Sequence, residues 1–174
     1  MRRKAFLILT LSLVFLAWGC KEKASREGPT GDIGLEQEIK FIQNVIKDDP
    51  TNVNAWIKLG NINMDVRRYP DAIASYAHAL KLDPRNVDVR VDMGSCYRYA
   101  GMPEKAVEEY RKALEISPDH PNGNKNLAIT LADDFKKYDE AADLLEKYLK
   151  RNPGDPDAAK MRDIIKDLRR SKPS

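Results

Sequence analysis

The chain has 174 residues, 33% of them charged, and a formal net charge of +3 at pH 7. Residues 1–19 contain no acid, and removing Arg2, Arg3 and Lys4 from the 30 basic residues leaves 27, which equals the 27 acidic ones. Without residues 1–19 the chain is therefore neutral, and its charges are dispersed. Such a chain lacks the basic surface of nucleic-acid-binding proteins, which argues against that class.

Residues 1–19 have the layout of a signal peptide. A basic start is followed by an apolar run from Ala5 to Trp18, and the small residue Gly19 precedes Cys20. The run is shorter than the roughly 20 apolar residues that a membrane-spanning helix needs. We therefore expect a targeting segment here rather than a permanent transmembrane helix.

The cysteine that follows this segment resembles the lipobox cysteine of bacterial lipoproteins. The resemblance implies an exported protein that is cleaved before Cys20. Cys20 would then be the first residue of the mature protein and would carry a lipid (palmitate) on its thiol. Residues 20–34 are polar and rich in small residues, so they are predicted to form a flexible linker behind the lipid anchor. By the proteobacterial sorting rule, Lys21 then implies the outer membrane, facing the periplasm. The alternative is an ordinary signal peptide or an uncleaved short anchor.

Helical periodicity begins after the linker. Ile39, Ile42 and Ile46 fall on one stripe of residues 35–52, and Pro50 ends the helix. This helix matches only the second helix of the repeats that follow it. We therefore predict that residues 35–52 form a capping helix, which the end of a repeat array requires.

Residues 53–155 carry one pattern three times. Four positions of the first copy recur after 34 and then after a further 35 residues, with Leu145 and Tyr148 at the second and third of them in the last copy: Ala72, Tyr76, Ala79 and Pro84; Ala106, Tyr110, Ala113 and Pro118; Ala141, Leu145, Tyr148 and Pro153. Such a period indicates stacked helical hairpins. The predicted repeats span residues 53–86, 87–120 and 121–155, and the third has one extra residue in its inter-helix turn, within residues 132–137.

The first helix of the first repeat adds Trp56, Leu59 and Gly60 to this pattern, and at these residues the chain resembles the tetratricopeptide repeat (TPR) family. The resemblance implies an all-α fold, a right-handed superhelical solenoid of antiparallel helix hairpins. Three TPR units would lie between the N-terminal capping helix and a C-terminal capping helix at residues 156–170, with residues 171–174 as a tail.

Small residues of the repeats predict close helix contacts. We expect Gly60, Gly94 and Ala128 to pack against the small residues Ala72, Ala106 and Ala141, where a bulkier side chain would overpack the contact. Tyr76, Tyr110 and Leu145 are expected to fill the gap to the next hairpin. Gly101 suits a left-handed turn between two helices.

The sequence offers little catalytic chemistry. His78 and His120 have no partner at metal-ligand spacing, and Cys96 falls at a helix position that favours a packed thiol. Acidic pairs such as Glu108 and Glu109 are typical of a solvated helix face. Phosphate-loop, Rossmann and nucleophile-elbow motifs are absent from the sequence. We therefore predict that the protein is not an enzyme and uses no metal or cofactor.

The concave surface is the candidate site, because in the TPR family the first helices bind partner peptides there. By register, the resemblance gives as groove residues Asn54, Ile57, Asn61, Met64, Asp65, Asp88, Val91, Ser95, Arg98, Tyr99, Asn122, Lys125 and Ile129. Ile57, Met64, Val91, Tyr99 and Ile129 would form an apolar strip, which commonly marks a protein interface. The alternative is that these side chains pack against neighbouring helices or against an inward-folded last helix.

A carboxylate-binding clamp is not expected in this groove. Asn61 fits one position of the family's clamp, but Ile57 and Asp92 stand where Lys and Asn would be required. A partly apolar protein segment is the better candidate ligand.

The sequence thus predicts a non-enzymatic scaffold, a lipid-anchored envelope protein that recruits partner proteins. Resemblance suggests assembly or maintenance of an envelope complex, such as a pilus, a secretion machine or cell-wall machinery. The alternative is a self-associating structural protein without a peptide client. A catalytic or cofactor-binding role would require a stoichiometric metal or heme signal.

Overall fold

The computed structural model describes residues 30–171, and the side chains of residues 34–171. This part of the chain contains eight helices and no strand: α1 (Thr30–Asp48), α2 (Val53–Asp65), α3 (Tyr69–Leu82), α4 (Val87–Tyr99), α5 (Pro103–Ile116), α6 (Pro121–Asp133), α7 (Tyr138–Arg151) and α8 (Ala158–Arg170). Three hairpins, α2–α3, α4–α5 and α6–α7, stack in chain order between α1 and α8. The predicted all-α solenoid is confirmed.

Two helix boundaries differ from the sequence prediction. Helix α1 begins at Thr30, so residues 30–34 are helical and do not belong to the predicted flexible linker. Leu35 packs against the cluster of Ile39 and Ile42, and the helical turn before it supplies the carbonyls that the next amides need. At the other end, α8 begins at Ala158 rather than at residue 156. The predicted signal peptide and Cys20 lie outside the described residues.

The first helices of the three hairpins start with the same cap. The residues before them, 34 positions apart, accept a hydrogen bond from the amide three residues on, at 3.0, 3.1 and 3.0 Å: Asn52 from Ala55, Asn86 from Val89, and His120 from Gly123. A side-chain acceptor at this position satisfies one of the free amides of the first turn and stabilises the helix by about 1 kcal/mol.

A second contact ties each first helix to the proline before it. The side chains of three register-equivalent residues donate to a proline carbonyl at 2.9, 3.0 and 2.9 Å: Trp56 to Pro50, Arg90 to Pro84, and Asn124 to Pro118. Arg90 therefore replaces the tryptophan of the first repeat as an N–H donor. Its guanidinium also pairs with the buried carboxylate of Glu109 at 2.7 Å, which corrects the prediction that Glu109 lies on a solvated face.

Gly60 of α2 and Gly94 of α4 face tyrosine rings rather than the expected alanines. A Cβ on Gly60 would lie 2.5 Å from Cε1 of Tyr76, and one on Gly94 would lie 2.7 Å from Cε1 of Tyr110. Each tyrosine belongs to the second helix of the same hairpin, so its ring packs within the hairpin and not only towards the next one. Glycine is needed at both positions because the aromatic ring occupies the space that a Cβ atom would fill.

The turns between paired helices share a left-handed residue. Gly101 has φ 76°, as predicted, and the register-equivalent residues Arg67 and Lys136 have φ 61° and 57°. The third turn holds four residues, 134–137, whereas the first two hold three. The extra residue is thus accommodated before the second helix, which keeps its register on the core.

Helix α8 closes the open side of the last hairpin. Ala158 and Met161 are buried in the same cluster as Leu145 of α7. Near the end of α8, the Arg169 guanidinium contacts the carboxylates of Asp139, Asp143 and Glu146 on α7. Helix α8 therefore packs as the predicted C-terminal cap. Within residues 30–171, no helix has the length and apolar character needed to cross a membrane.

Candidate functional site: the concave groove

The predicted groove residues lie on α2, α4 and α6, or at the start of these helices, but their exposure differs. Six are exposed: Asn54, Asn61, Asp65, Asp88, Tyr99 and Asn122. Five are half-buried: Ile57, Met64, Arg98, Lys125 and Ile129. We divide the surface into an α2–α4 section, an α4–α6 section and an α6–α8 section, named by the helices on either side.

Two of the predicted groove residues are buried, which is a correction. Val91 is 2% exposed and belongs to the core shared by the second and third hairpins. Ser95 is 9% exposed. Both lie on the side of α4 that α6 covers, so neither side chain forms part of an accessible strip.

The α2–α4 section has a polar floor. The Tyr76 hydroxyl donates to Asn61 at 2.7 Å and lies 3.7 Å from the Met64 sulfur. The carboxylates of Asp65 and Asp92 are close enough to raise the pKa of Tyr76, although burial is the larger cause. This end of the groove therefore combines a phenol, an amide and two acids.

The α4–α6 section has a similar floor with a different amide. The Tyr110 hydroxyl and the Ser95 hydroxyl are 3.1 Å apart, and Asn126 on α6 donates to Ser95 at 3.2 Å. Burial is the main cause that raises the pKa of Tyr110 to about 12. The Asn126–Ser95 hydrogen bond links α6 to α4, and the Tyr110–Ser95 contact links α5 to α4.

The cation of this section is engaged within the protein. Arg98 donates to Asp134 at 2.6 Å and to Asp133 at 3.0 Å. Beside it, Tyr99 is 60% exposed, and its ring packs on Tyr69 with the centroids 5.5 Å apart. Tyr99 therefore offers an accessible aromatic surface with a fixed orientation.

The α6–α8 section is apolar. Leu145 replaces the tyrosine of the other hairpins, and Ile129 replaces Asn61 and Ser95 in register. These two residues, with Ala128 of α6 and Met161 and Ile164 of α8, line a cavity of about 310 Å³. Lys125 and Asp133 are the charged residues of its lining. Helix α8 thus forms one wall of the groove, as the alternative of an inward-packed last helix partly anticipated.

The histidines and the thiol have structural roles. His78 stacks on Trp56 with the ring centroids 4.2 Å apart. His120 Nδ1 accepts the Gly123 amide, so Nε2 carries the proton and donates to Asp88 at 2.9 Å. Cys96 is fully buried, as predicted; burial, and secondarily Asp92, raises the pKa of its thiol to about 12. No cluster of His, Cys, Asp or Glu within residues 30–171 is placed to hold a metal ion.

Two parts of the groove were missed by sequence reasoning. Asp92 enters the sequence prediction only as a mismatch to a carboxylate clamp, although its carboxylate is close enough to Tyr76 to raise the pKa of that phenol. The α8 wall of the apolar cavity was not included either. The replacement of Tyr by Leu145 and of Asn or Ser by Ile129, both visible in the repeat register, was the signal that could have revealed this cavity.

Comparisons with known structures agree with the fold. The crystal structure of MamA has a TM-score of 0.65 and 22% identity, covering 80% of this chain and 86% of that chain. A second MamA crystal structure has a TM-score of 0.64 and 21% identity, covering 81% and 82%. At this identity the likeness establishes the fold alone. The comparison with curated protein sequences yields no significant match.

Comparison with family profiles is more specific. One profile described as tetratricopeptide repeat matches residues 57–121, and another with the same description matches residues 97–163. Together they span residues 57–163, which is more than half of the chain and covers the three hairpins apart from the first residues of α2. TPR proteins generally act as non-enzymatic scaffolds for protein–protein interaction. On the repeat register, the fold and these matches, the chain belongs to the tetratricopeptide repeat family.

Proposed function

We propose that this protein is a membrane-anchored scaffold of the bacterial cell envelope that recruits a partner protein through its concave groove. The observation that carries the proposal is the α6–α8 cavity of about 310 Å³, whose mostly apolar lining includes the polar residues Lys125 and Asp133. An apolar recess with a few polar groups at its edge is the usual form of a recognition site. The family relationship supports a protein partner.

The anchor and the process belong to the same proposal. Lipid on Cys20 holds the protein at the outer membrane facing the periplasm, and the following residues give the repeats reach. The recruited partner serves the assembly or maintenance of an envelope complex, such as a pilus, a secretion machine or cell-wall machinery. The sequence around Cys20 supports this part, since the cysteine follows an apolar segment and a small residue.

A pull-down from envelope extract tests the groove. Residues 21–174 serve as bait beside a variant carrying Tyr99→Asp and Ile129→Asn, and a control carrying Leu82→Asp, whose leucine is 40% exposed on α3. We expect a partner that is retained by the wild type and the control but lost from the groove variant. Retention by all three folded baits would place the binding site outside the groove.

Metabolic labelling with a fatty-acid probe tests the anchor. The wild-type chain should be labelled and fractionate with membranes, whereas Cys20→Ala should be unlabelled. A labelled Cys20→Ala protein would contradict the assignment of the lipid to that cysteine.

Self-association is the second candidate, and one residue of α1 favours it. Phe41 is 66% exposed, whereas the register-equivalent residues Ser75 and Glu109 are buried, because each faces the first helix of its own hairpin. A second copy that covered Phe41 would remove this aromatic surface from water. Sedimentation at micromolar concentration should then show a dimer that Phe41→Ser dissociates, and a wild-type monomer would exclude this candidate.

A further inference from the structure

The floor of the groove changes from polar to apolar along the stack. In the α2–α4 and α4–α6 sections, the floor carries the hydroxyls of Tyr76 and Tyr110, each hydrogen-bonded to a polar side chain of the first helix. In the α6–α8 section the same positions are Leu145 and Ile129. In the first two sections a bound apolar side chain would lie against hydroxyl and amide groups, whereas in the last section it would meet mainly apolar side chains.

The opposite end of the groove is negatively charged. Asp65 lies at the end of α2, and Asp88 and Asp92 lie one turn apart on α4. Within residues 34–171, no Lys or Arg forms an ion pair with Asp65 or Asp92, and Asp88 contacts the ring of His120. Burial raises the pKa of Asp92 and Asp88 raises it further, whereas His120 lowers it. The negative charge of Asp65 and Asp92 is therefore not balanced by a Lys or Arg within residues 34–171.

The basic residues of the groove do not compensate for this charge. Arg98 is paired with Asp133 and Asp134, and Lys125 lies 3.7 Å from Asp157. A cation carried by a ligand would thus meet Asp65 and Asp92, with which no Lys or Arg of residues 34–171 forms an ion pair. Complementary charge of this kind selects partners and speeds their association.

Building on the proposed scaffold function, we infer that the groove recognises a protein segment with an apolar side chain and a Lys or Arg about six residues apart. The apolar side chain fills the α6–α8 cavity, and the cation lies against Asp65 and Asp92. The α2–α4 and α6–α8 sections are two helix spacings apart along the stack. At about 8–10 Å for each spacing, the two sites are separated by roughly 20 Å. An extended segment covers that distance with about six residues.

The test is selection of peptides from a displayed library of random twelve-residue sequences on the immobilised full-length protein in detergent. We expect enriched peptides to carry Leu, Ile, Met or Phe and, about six residues away, Lys or Arg. A synthetic peptide of the enriched sequence is then titrated by fluorescence anisotropy. Its affinity should fall as salt concentration rises, because the contact with the acids is screened.

Two variants assign the two contacts. Ile129→Asn, which introduces the residue found at position 61, should raise the Kd about tenfold because it places an amide in the apolar cavity. Asp65→Asn with Asp92→Asn should raise the Kd about fivefold and weaken the salt dependence. The control Glu104→Gln with Glu115→Gln makes the same change in net charge at exposed positions of α5, and should leave the Kd unchanged.

The remaining outcomes separate the inference from the proposed function. Enriched peptides that are acidic or uncharged, yet lose affinity in Ile129→Asn, would overturn the inference and leave the groove as the recruiting site. Enriched peptides that bind all variants equally, or a selection without any enrichment, would overturn both. Each variant is compared only after its helical circular dichroism and melting temperature show a folded protein.

Discussion

The ring of Tyr110 occupies the space that a side chain at position 94 would need, since a Cβ on Gly94 would lie 2.7 Å from Tyr110 Cε1. The first hairpin has the same arrangement of Gly60 and Tyr76. In the third hairpin, Ala128 takes the glycine position and Leu145 the tyrosine position, within one buried cluster. Glycine and tyrosine therefore occur as a pair, and the pair can be exchanged for alanine and leucine.

Gly94→Ala should destabilise the protein despite the better helix propensity of alanine. Overpacking costs about 1–3 kcal/mol, whereas the propensity gain is about 1 kcal/mol. In a Tyr110→Leu background, the same Gly94→Ala change should be neutral or stabilising. Urea denaturation of the four proteins of this double-mutant cycle measures the coupling.

Gly34 provides the control for that cycle. It lies on α1 with no atom within 4 Å of a Cβ built on it, so Gly34→Ala should stabilise the protein or have little effect. Equal costs of Gly94→Ala with tyrosine and with leucine at position 110 would show that the ring does not set the requirement for glycine.

The left-handed turn residues give a second prediction. Gly101→Ala should lower the free energy of unfolding by about 1 kcal/mol, because an L-residue pays that backbone cost at φ 76°. No atom lies within 4 Å of the new Cβ, so packing adds nothing. Arg67→Gly, at φ 61°, should instead raise the free energy of unfolding, because glycine adopts this backbone conformation without that cost. Chemical denaturation of both variants checks the pair, and the same sign for both would contradict the conformational explanation.

Asp92 gives a prediction about pH. Burial, and then Asp88, raises its pKa above the ordinary 3.8, so the folded protein holds this proton more tightly than the unfolded chain does. Stability from this group is present below the unfolded pKa and is lost as pH rises through the raised folded pKa. Asp92→Asn should therefore raise the melting temperature at pH 7 and have a smaller effect near pH 3.5.

Glu115→Gln is the matched control for Asp92, since it removes one carboxylate from an exposed position of α5. Its effect on the melting temperature should stay small across the same pH range. If Asp92→Asn lowered the melting temperature at pH 7, the carboxylate would have to make a favourable contact rather than a desolvated one.

Arg169 gives a prediction about local stability. Its guanidinium bridges three acids of α7, whereas the neighbouring Arg170 lies 3.8 Å from Asp167 of its own helix. Arg169→Gln should speed amide hydrogen exchange in α8, because the helix loses its charged contacts with α7 and keeps the apolar contacts of residues such as Ala158, Met161 and Leu168. Arg170→Gln should leave the exchange of α8 unchanged. Equal effects of the two variants would assign no anchoring role to Arg169.

The sequence by itself determined the repeating features. The spacing of Ala72, Tyr76 and Pro84 and of their equivalents fixed three hairpins, because helix periodicity and proline are local constraints on the chain. Gly101 likewise predicted its left-handed turn. The positions of Asn61, Tyr99 and Ile129 on first helices followed from the same register.

Tertiary structure decided which of these positions are accessible and what they contact. Val91 and Ser95 share a helix with Tyr99, yet helix α6 covers the first two and leaves the last exposed. The apolar cavity required α8 to stand beside Ile129, and Asp92 joined the acidic end only because α4 packs against the α2–α3 hairpin. Sequence period sets the faces of each helix, but burial and electrostatic environment depend on the helices that pack against them.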